Sequence, residues 1–268
     1  MNSINEIENL IIQECKLRGY SQKTITSYLY HTKKFIESKK TLRKYLLSLI
    51  EKNKSNETIR SSGFAIKFYL KIINKNSSST NNILSNLPNV KREKKLPVIL
   101  SKEEIEQLIL ATKNINHRLI IQISYSAGLR ISEIINLKWE DIDFSRNIIH
   151  IKKAKGKKDR IVMLSKKVKC ELQKLTSDKT CHVFITNRIK KYTSRTIQKI
   201  IENVAKKTNI TKKITPHTLR HSFATHLLEQ GTDIRYIRDL LGHSNISTTL
   251  IYTKVSNKNL AKIKSPLD

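Results

Sequence analysis

The sequence predicts a mainly α-helical protein of two domains, with a small antiparallel β-sheet or hairpin in the C-terminal domain. Apolar side chains recur at helical spacing through most of the 268 residues. Two β-rich segments at 147–152 and 160–164 interrupt this period and flank a loop of Lys, Gly and Asp, which is typical of a hairpin. The chain also exceeds the roughly 250 residues at which a single core stops growing, and a basic segment with two prolines at 86–97 indicates a domain linker.

Residues 1–85 are predicted to form a helical domain. The spacing of apolar residues indicates four helices between residues 4 and 73. Side chains that accept hydrogen bonds from the free N–H groups of a first turn are good helix caps. Such residues precede three of the helices: Ser21 for the second, Thr41 for the third, and Ser55 or Asn56 for the fourth.

Residues 98–268 are predicted to form the second domain, which opens with a helix. Ser101 and Glu104 have the spacing of a capping box, in which each side chain bonds to a backbone N–H of the other residue. The further elements expected are helices at about 116–126 and 130–137, strands at 147–152 and 160–164, and helical segments from 195 to about 261.

Composition points to a polyanionic partner. The chain has 52 Lys and Arg against 22 Asp and Glu, which is a formal net charge of +30, and both predicted domains share the excess. Such a charge attracts polyanions, so DNA, RNA and an anionic membrane are the candidate partners. A membrane is the poorest of the three, because no apolar run reaches the ~20 residues of a spanning helix. We therefore expect a cytoplasmic protein without a membrane partner.

The cysteines indicate neither a disulfide framework nor a zinc site. Cys15, Cys170 and Cys181 are far apart and odd in number, and no Cys-x-x-Cys pair occurs. All three are expected to be small buried side chains in a reducing compartment.

The chemistry is concentrated in residues 215–253. Thr215 is a good N-cap for a helix on which His217 and Arg220, three residues apart, project from one face of the first turns. A histidine and an arginine beside a helix N-terminus form a phosphate site, because the free N–H groups and the helix dipole favour anions. His243 follows on the turn after the next helix, and Tyr252 comes shortly after it.

These residue types fit phosphoryl transfer without a metal ion. Transfer at a phosphodiester requires positive hydrogen-bond donors on the non-bridging oxygens, an activated nucleophile and a proton for the leaving oxygen. Arginine binds phosphate as a planar fork, and a tyrosine with an ordinary pKa of ~10 serves as nucleophile when cations and a histidine help to remove its proton. An ammonium group on the predicted hairpin can protonate the leaving oxygen. No nucleotide-binding glycine loop occurs in the sequence.

The second domain resembles the tyrosine recombinase (phage integrase) family, and is most similar to its Xer-type members, with an ending like that of archaeal Xer-like relatives. The similarity covers residues 98–268 and is carried by SAGLRISEI, KAKGKKDR, HTLRHSFATHLLEQG and LLGHSNISTTLIYT. It implies a two-domain DNA clamp with residues 1–85 as a helical core-binding (SAM-like) domain. It also implies a site-specific recombinase that cuts and rejoins DNA through a 3′-phosphotyrosyl intermediate, uses no metal, ATP or other cofactor, and resolves chromosome dimers.

The resemblance implies a role for each of seven residues. Arg130 and Arg220 would clamp the scissile phosphate, Glu133 would orient this centre, Lys155 would be the general acid for the 5′ oxygen, His217 and His243 would handle protons and phosphate contacts, and Tyr252 would be the nucleophile. Ala154 stands where relatives often have glycine, and Lys157 and Lys158 lie close by. The choice of Lys155 among the three lysines therefore stays open.

The resemblance further implies a homotetramer on two double-stranded DNA sites. The C-terminal tail 253–268 would dock on a neighbouring protomer, with Leu260 and Ile263 as its apolar contacts. Three other functions stay open. An integrase or excisionase of a mobile element would use the same chemistry, a type IB topoisomerase would share the phosphotyrosine step without strand exchange, and a non-catalytic basic DNA-binding relative would only bind.

A zinc site is a further alternative on the same helix. His217 and His221 have the i, i+4 spacing of a zinc-binding helix. However, no glutamate follows His217 as in the His-Glu-x-x-His pattern, and Arg220 would repel a cation. No metal site is therefore expected, and His221 and His226 are interpreted as packing or phosphate-contact residues.

Overall fold

The computed structural model describes residues 4–73, 96–152, 159–175, 182–186 and 190–256. The chain divides into two compact units, Met1–Lys95 and Leu96–Asp268. The linker predicted at 86–97 lies outside the described residues except for its last two positions. The described parts of both units are mainly helical, and the second unit contains a small antiparallel sheet, which confirms the predicted fold class.

The first unit contains the four helices that the apolar spacing predicts. They are α1 (Ile4–Leu17), α2 (Gln22–Glu37), α3 (Leu42–Glu51) and α4 (Asn56–Ile73). Each helix buries one apolar stripe, and α2 and α4 pack against each other at the centre of the unit. The most buried side chains include Ile11, Cys15, Ile25 and Ile66.

The predicted caps of the first unit occupy the ends of its helices. Ser21 Oγ accepts a hydrogen bond from Thr24 N at 3.3 Å, and Ser55 Oγ accepts one from Thr58 N at 3.3 Å. Ser55 rather than Asn56 is therefore the cap of α4. Thr41 stands at the N-cap position of α3, although its side chain makes no capping bond.

The second unit contains seven α-helices and three strands in its described residues. The helices are α5 (Lys102–Leu110), α6 (Ile115–Ser126), α7 (Ile131–Asn136), α8 (Lys166–Gln173), α9 (Ser194–Ala205), α10 (Pro216–Glu229) and α11 (Ile234–Leu241), and the strands are β1 (Ile142–Asp143), β2 (Ile148–Ile151) and β3 (Arg160–Met163). Short 3-10 turns follow α7 at Trp139–Asp141 and follow α11 at Ile246–Thr248 and Leu250–Lys254. The capping box of Ser101 and Glu104 opens α5 as predicted.

The sheet is antiparallel with the strand order β1-β2-β3. Across the predicted hairpin, Ile149 pairs with Val162 and Ile151 pairs with Arg160. Ile149, Ile151 and Val162 are buried against the main core, which fixes the register of the two strands. The third strand, β1, has two residues, which is too short for a period-2 pattern to predict.

Two parts of the second unit differ from the sequence-based expectation. The helix α8 is not predicted, because it is lysine-rich and buries only Val168 and Leu172. After α11 the chain forms 3-10 turns to Lys254 rather than a continuing helix, since the stretch 246–253 is rich in β-branched and hydroxyl side chains with low helix propensity. The tail beyond residue 256 lies outside the described residues.

Two of the three cysteines, Cys15 and Cys170, lie in the described part of the chain. Cys15 is buried in the first unit, as expected. Cys170 is exposed, so the prediction that it is buried is wrong; it lies on α8 between the two positions that this helix turns to the core. Cys181 lies outside the described residues. None of the helices in the described ranges is long and apolar enough to cross a membrane.

Candidate active site

The candidate site is built around α10, whose first turn is fixed by its cap. Thr215 Oγ1 accepts a hydrogen bond from Thr218 N at 3.2 Å, and Pro216 lies in the first turn, where a missing N–H is tolerated. The helix contacts α6, α9, α11 and the 3-10 turn Leu250–Lys254. Several polar side chains of α10 are therefore held inside the unit rather than on its surface.

Arg220 lies at the centre of this arrangement. Its side chain projects from α10 into the unit, and the residue is 4% exposed. Nη1 donates a hydrogen bond to Gly128 O, and Nη2 donates one to Leu241 O. Burial, followed by the neighbouring charge of Arg130, lowers the pKa of Arg220 to about 9. The guanidinium is still charged at neutral pH, so it is a buried cation held by neutral carbonyls and suited to an incoming anion.

Gly128 allows the turn before Arg130 to pack directly against α10. Its backbone is left-handed, with a φ of +61°, and a Cβ added there would overlap the Phe223 ring, with Cε1 only 2.6 Å away. Only glycine fits both conditions without strain. The turn at Gly128 delivers Arg130 to the start of α7, while the Gly128 carbonyl itself accepts the bond from Arg220.

Glu133 connects Arg130 to a second arginine, Arg160. Glu133 Oε2 accepts from Arg130 N at 2.8 Å, and Oε1 accepts from Arg130 Nη1 at 2.9 Å. Arg160, the first residue of β3, forms a bidentate pair with the same carboxylate at 2.8 and 2.7 Å. Burial alone would raise the pKa of Glu133, but the hydrogen bonds and charge of Arg160 and the hydrogen bonds of Arg130 lower it to about 2. The carboxylate is therefore ionised throughout the physiological range.

The C-terminal end of α11 binds the side chains of all three arginines. Three consecutive carbonyl oxygens each accept a hydrogen bond from a different guanidinium: Leu240 O from Arg160 Nε at 2.7 Å, Leu241 O from Arg220 Nη2, and Gly242 O from Arg130 Nη2 at 3.0 Å. Carbonyls at a helix C-terminus lack intrahelical partners and carry the negative end of the helix dipole. This helix end therefore holds positive side chains from three separate parts of the chain in one cluster.

Tyr252 lies in the last 3-10 turn and is 2% exposed. Its hydroxyl is 3.1 Å from Nδ1 of His221 on α10. Burial raises the pKa of Tyr252, whereas the charges of Arg220 and Arg130 act to lower it. Burial, together with the electrostatic influence of His217 and the charge of Arg220, lowers the pKa of His221 to about 4. This imidazole is neutral at pH 7 and, in the tautomer with a free Nδ1, can accept the tyrosine proton.

The two predicted histidines flank the arginines. His243 follows the α11 end, and its Nδ1 is 3.0 Å from Thr249 Oγ1. Burial and the charges of Arg220 and Arg130 lower the pKa of His243 to about 4. The side chain of His217 is accessible to solvent at the start of α10, and partial burial with the same two charges lowers its pKa. Both rings are neutral hydrogen-bonding groups at pH 7 rather than cations.

Lys155, the predicted general acid, lies outside the described residues, as do Lys157 and Lys158. The residues on either side of this lysine segment are described. Ile151 pairs with Arg160 across β2 and β3, and Arg160 contacts the carboxylate of the cluster. The two strand ends that flank the lysines therefore lie beside the arginines.

Six of the seven predicted site residues lie in the described part of the chain, and hydrogen bonds or charge interactions connect them. They are Arg130, Glu133, His217, Arg220, His243 and Tyr252. Two further residues belong to the site in roles that the sequence does not predict. Arg160 stands directly after the lysine loop and bonds to Glu133, which is distant in sequence. His221, interpreted from the sequence as a packing or phosphate-contact residue, instead has its Nδ1 3.1 Å from the Tyr252 hydroxyl, and its position one helical turn after His217 on the same face of α10 is the signal for such a role.

The cluster is suited to a phosphate group. The cluster contains three guanidinium groups and one carboxylate, so the site carries an excess of positive charge, with a buried tyrosine hydroxyl and three neutral imidazoles around it. The described residues include no group of three His, Cys, Asp or Glu side chains that could hold a metal ion. The arrangement can bind a phosphodiester, deprotonate a tyrosine and stabilise the charge that develops on phosphate oxygens.

The sequence matches the model of the Phage integrase family over residues 99–259. It is 38% identical over 256 residues to Tyrosine recombinase XerA of Pyrococcus horikoshii, which covers 91% of this chain and 87% of that protein. It is 30% identical over 271 residues to Tyrosine recombinase XerD of Oceanobacillus iheyensis, which covers 91% of each protein.

Solved structures have the same fold. A crystal structure of XerA recombinase aligns with a TM-score of 0.57 at 28% identity and covers 98% of this chain and 100% of that one. XerH recombinase bound to its difH substrate before cleavage aligns at 0.72 with 25% identity, covering 97% and 84%. A λ integrase (75–356) dimer bound to a COC′ core site aligns at 0.74 with 16% identity, covering 96% and 97%, and shares the fold alone.

Proposed function

The chain belongs to the phage integrase family and is a tyrosine recombinase, one of the DNA strand-exchange enzymes, and from this premise we propose that it is a site-specific recombinase of the Xer type. One observation carries the proposal. The hydroxyl of Tyr252 is buried 3.1 Å from His221 and within the field of Arg220 and Arg130. A nucleophile, a proton acceptor and a phosphate clamp thus occupy one site.

In the proposed reaction, Arg130 and Arg220 bind the non-bridging oxygens of the scissile phosphate. Each guanidinium uses some of its donors on backbone carbonyls and keeps other N–H groups for a ligand. Because these groups are held in place before DNA arrives, no reorganisation is needed as charge develops in the transition state. The arginines supply the positive charge, and we propose on this ground that cleavage is independent of metal ions.

Cleavage forms one bond to phosphorus and breaks another. The Tyr252 oxygen attacks phosphorus while His221 Nδ1 takes the phenolic proton. The bond to the 5′ oxygen breaks, and Lys155 donates a proton to that oxygen, which leaves a 3′-phosphotyrosyl bond and a free 5′ hydroxyl. His217 and His243 contact the phosphate as neutral hydrogen-bonding groups. The raised pKa of Tyr252 keeps the nucleophile protonated until the phosphate is in place.

Strand exchange is the reverse of cleavage with a different strand. The phosphotyrosyl ester retains the energy of the broken phosphodiester, so the 5′ hydroxyl of a partner strand can attack it and release Tyr252. The tyrosine then regains its proton, and the original number of phosphodiester bonds is restored. No ATP is required by this scheme.

We propose that the first unit is a core-binding domain that contacts DNA. A shallow depression on α2 and α4 is lined by basic, hydroxyl and aromatic side chains: Lys23, Thr24, Ser27, Tyr28, Ser61 and Phe64. On the same helices, Tyr30 and Phe64 are 54% and 52% exposed, and Lys34 Nζ lies 4.4 Å from the centre of the Tyr30 ring. Exposed aromatic rings beside cations are typical of nucleic-acid surfaces.

We propose that the enzyme acts as a homotetramer on two duplexes, each tail docking on a neighbour. A groove of about 540 Å³ at the end of the second unit supports this assembly. Its lining includes the apolar side chains of Leu228, Ile234, Ile246 and Leu250. The predicted occupant is the tail 253–268 of another copy, whose last described residue is Ser256 and whose Leu260 and Ile263 are apolar.

We propose chromosome-dimer resolution, in the cytoplasm, as the biological role. Relatives that are 38% and 30% identical are named XerA and XerD, and the XerH structure holds a difH substrate. Integration of a mobile element would use the same site and the same chemistry. The genomic position of the target sequence separates these two roles.

The test is covalent capture on sheared genomic DNA from the source organism. Wild type and Tyr252→Phe are incubated with the fragments and washed under denaturing conditions, and the DNA that stays attached is sequenced. We expect one palindrome-like locus to be enriched with wild type alone, because the Tyr252→Phe variant binds DNA but has no side-chain oxygen to attack phosphorus.

Each outcome decides one part of the proposal. Capture by Tyr252→Phe would remove Tyr252 as the nucleophile. Even capture over the whole genome would favour a type IB topoisomerase, and absence of capture by wild type would favour a protein that only binds DNA. Enrichment of a mobile-element boundary instead of a chromosomal site would replace dimer resolution with integration.

A further inference from the structure

Arg160 is a buried arginine that the proposed reaction does not use. It begins β3, and its side chain is 8% exposed. Its two terminal nitrogens donate to the two oxygens of Glu133 at 2.8 and 2.7 Å, and its Nε donates to Leu240 O at 2.7 Å. Every nitrogen of the guanidinium is thus bonded to a neighbour within the site, in one planar geometry.

We propose that Arg160 is a positioning residue for strand cleavage, which holds Arg130 and the turn before His243 in place through Glu133 and Leu240. This inference rests on the proposed function, in which Arg130 binds the scissile phosphate. Arg160 itself touches neither the phosphate nor the tyrosine in this scheme.

The geometry supports the first part of the inference, that Arg160 holds Arg130 through Glu133. Glu133 uses the same two oxygens for Arg160 and for Arg130, whose N and Nη1 donate to it at 2.8 and 2.9 Å. With both arginines present, the carboxylate is fixed from two sides and presents Arg130 in one orientation. Without Arg160, one face of a buried carboxylate would lose its partner, and Glu133 would be free to turn with Arg130 attached.

The second part of the inference is that Arg160 holds the C-terminal end of α11, before His243, through Leu240. Arg160 binds Leu240 O, and two residues later Gly242 O binds Arg130 Nη2 at 3.0 Å. A Cβ added at Gly242 would lie 3.1 Å from Arg160 Cδ, so the arginine stem packs directly against this left-handed turn. Arg160 therefore fixes both the carboxylate and the helix end between which Arg130 is held, and His243 follows immediately.

Charge gives a further reason for a second arginine. Glu133 alone would neutralise Arg130 and reduce its attraction for a phosphate. Arg160 balances the carboxylate with a short bidentate pair, 2.7 Å at Nη2, so that the charge of Arg130 stays available for the substrate. Removing Arg160 should thus weaken stabilisation of the transition state even where DNA still binds.

The test compares Arg160→Ala and Arg160→Lys with a matched control, Arg118→Ala. Arg118 forms an ion pair with Glu171 at 3.1 Å in the same unit but outside the arginine cluster. The substrate is a nicked duplex with the sequence of the captured locus. Two quantities are measured: the dissociation constant of the Tyr252→Phe form of each variant, and the rate of covalent attachment by Tyr252 forms at saturating DNA.

We expect Arg160→Ala to bind DNA normally and to attach about 10- to 100-fold more slowly, by analogy with the loss caused by removing a residue that orients a metal ligand. Arg160→Lys should recover part of the rate, since lysine keeps the charge without the fork. Arg118→Ala should change neither quantity. If Arg160→Ala does not fold, Arg160→Lys carries the comparison.

A second substrate separates positioning from general destabilisation. A methyl group in place of one non-bridging oxygen of the scissile phosphate lowers the negative charge that Arg130 must stabilise. The defect of Arg160→Ala should therefore shrink on this methylphosphonate duplex. An equal defect on both duplexes, or attachment at the wild-type rate, would overturn the positioning role.

Failure of the proposed function has a different signature. If wild type attaches to no DNA, the recombinase proposal fails, and proton exchange of the Arg130 guanidinium, followed by nuclear magnetic resonance, decides the positioning role. Arg160→Ala should lose the protection of Arg130 from exchange, and Arg118→Ala should keep it. Unchanged protection in Arg160→Ala would contradict the inference.

Discussion

At the scale of single residues, the site depends on positive charge that is held away from water. Arg220 is 4% exposed, and the charges of Arg130, Arg160 and Glu133 all act on it. One carboxylate among three guanidinium groups leaves an excess of positive charge before a substrate arrives. Binding of a phosphate relieves this excess, which is why the geometry favours an anion as the ligand.

Replacing His221 tests its proposed role as the proton acceptor of Tyr252. His221→Ala should bind DNA as wild type does and attach about 10²-fold more slowly or worse, since general base catalysis typically contributes 10²- to 10⁴-fold. His150→Ala, on β2, is the control in the same unit. Single-turnover attachment measures the rate, and an undiminished rate in His221→Ala would assign the proton to another group.

The same histidines make stability dependent on pH. The pKa values of His221 and His243 are about 4 in the folded chain, below the ordinary value of about 6.5. The unfolded chain therefore takes up protons first, and the free energy of unfolding should fall as the pH drops from about 6.5 to about 4. We expect a loss on the order of 2 kcal/mol for each ring, given their partial exposure.

Glu133 adds a second pH range, below that of the histidines, over which the free energy of unfolding falls. Its pKa is about 2 in the folded chain, so its contribution is present above the ordinary value of about 4.3 and is lost as the pH falls towards 2. Urea unfolding at a series of pH values measures both pH ranges. His243→Gln should reduce the stability loss in the first range by the share of one ring, since His221 remains, and Glu133→Gln should flatten the second, whereas unchanged curves would contradict the assigned pKa directions.

At the scale of elements, the ends of helices and strands build the site. At the C-terminal end of α11, three carbonyl oxygens accept hydrogen bonds from arginines. The start of α7 carries Arg130, and the start of β3 carries Arg160. Helix ends and strand ends have unpaired backbone groups, so they can bind side chains that the middle of an element cannot. Tyr252 also lies outside the middle of a regular element, on a short 3-10 turn rather than on a long helix.

The turn at Gly128 gives a prediction for one such end. Gly128→Ala would adopt a φ of +61° and place its Cβ 2.6 Å from Phe223 Cε1. We expect a loss of about 2–4 kcal/mol in the free energy of unfolding, from the strained backbone and the overpacked ring together. Gly19→Ala is the control, because Gly19 has a φ of +65° with nothing within 4 Å. Urea unfolding that gives equal losses for both variants would remove the steric part of this argument.

At the scale of the whole molecule, charge dominates. The chain carries a net charge of +30, and basic residues are in excess in both units. A polyanion is therefore attracted to each unit, before any sequence-specific contact forms. The same charge repels another copy of the protein, so assembly on DNA is favoured over assembly without it.

DNA affinity should accordingly depend steeply on salt. For a contact with 6–10 phosphates, the association constant should fall by roughly 10³- to 10⁵-fold between about 50 and 200 mM salt. Lys34→Ala and Arg60→Ala, in the first unit, should each lower the logarithmic slope by about 1. Arg118→Ala, whose guanidinium is paired with Glu171, should leave the slope unchanged. A flat salt response in a filter-binding titration would contradict the phosphate contacts.

Local structure was predictable because its causes act over a few residues. The capping box of Ser101 and Glu104 and the cap of Thr215 are present with the expected bonds. The four helices of the first unit follow from apolar spacing alone. The helix α8 is not predicted, because its apolar stripe has only two residues, which is too few to stand out as a period.

The amino-acid order alone determined which chemistry is present: two predicted arginines, two histidines, a tyrosine and a basic chain, in segments that resemble one family. Folding decided which groups meet. Arg160 reaches Glu133 across 27 residues and Leu240 across 80, and Arg220 reaches Gly128 across 92. Such contacts form only after the sheet, α10 and α11 have packed together in the second unit. No short spacing rule encodes them, which is why Arg160 and the partnership of His221 with Tyr252 emerged only from the three-dimensional arrangement.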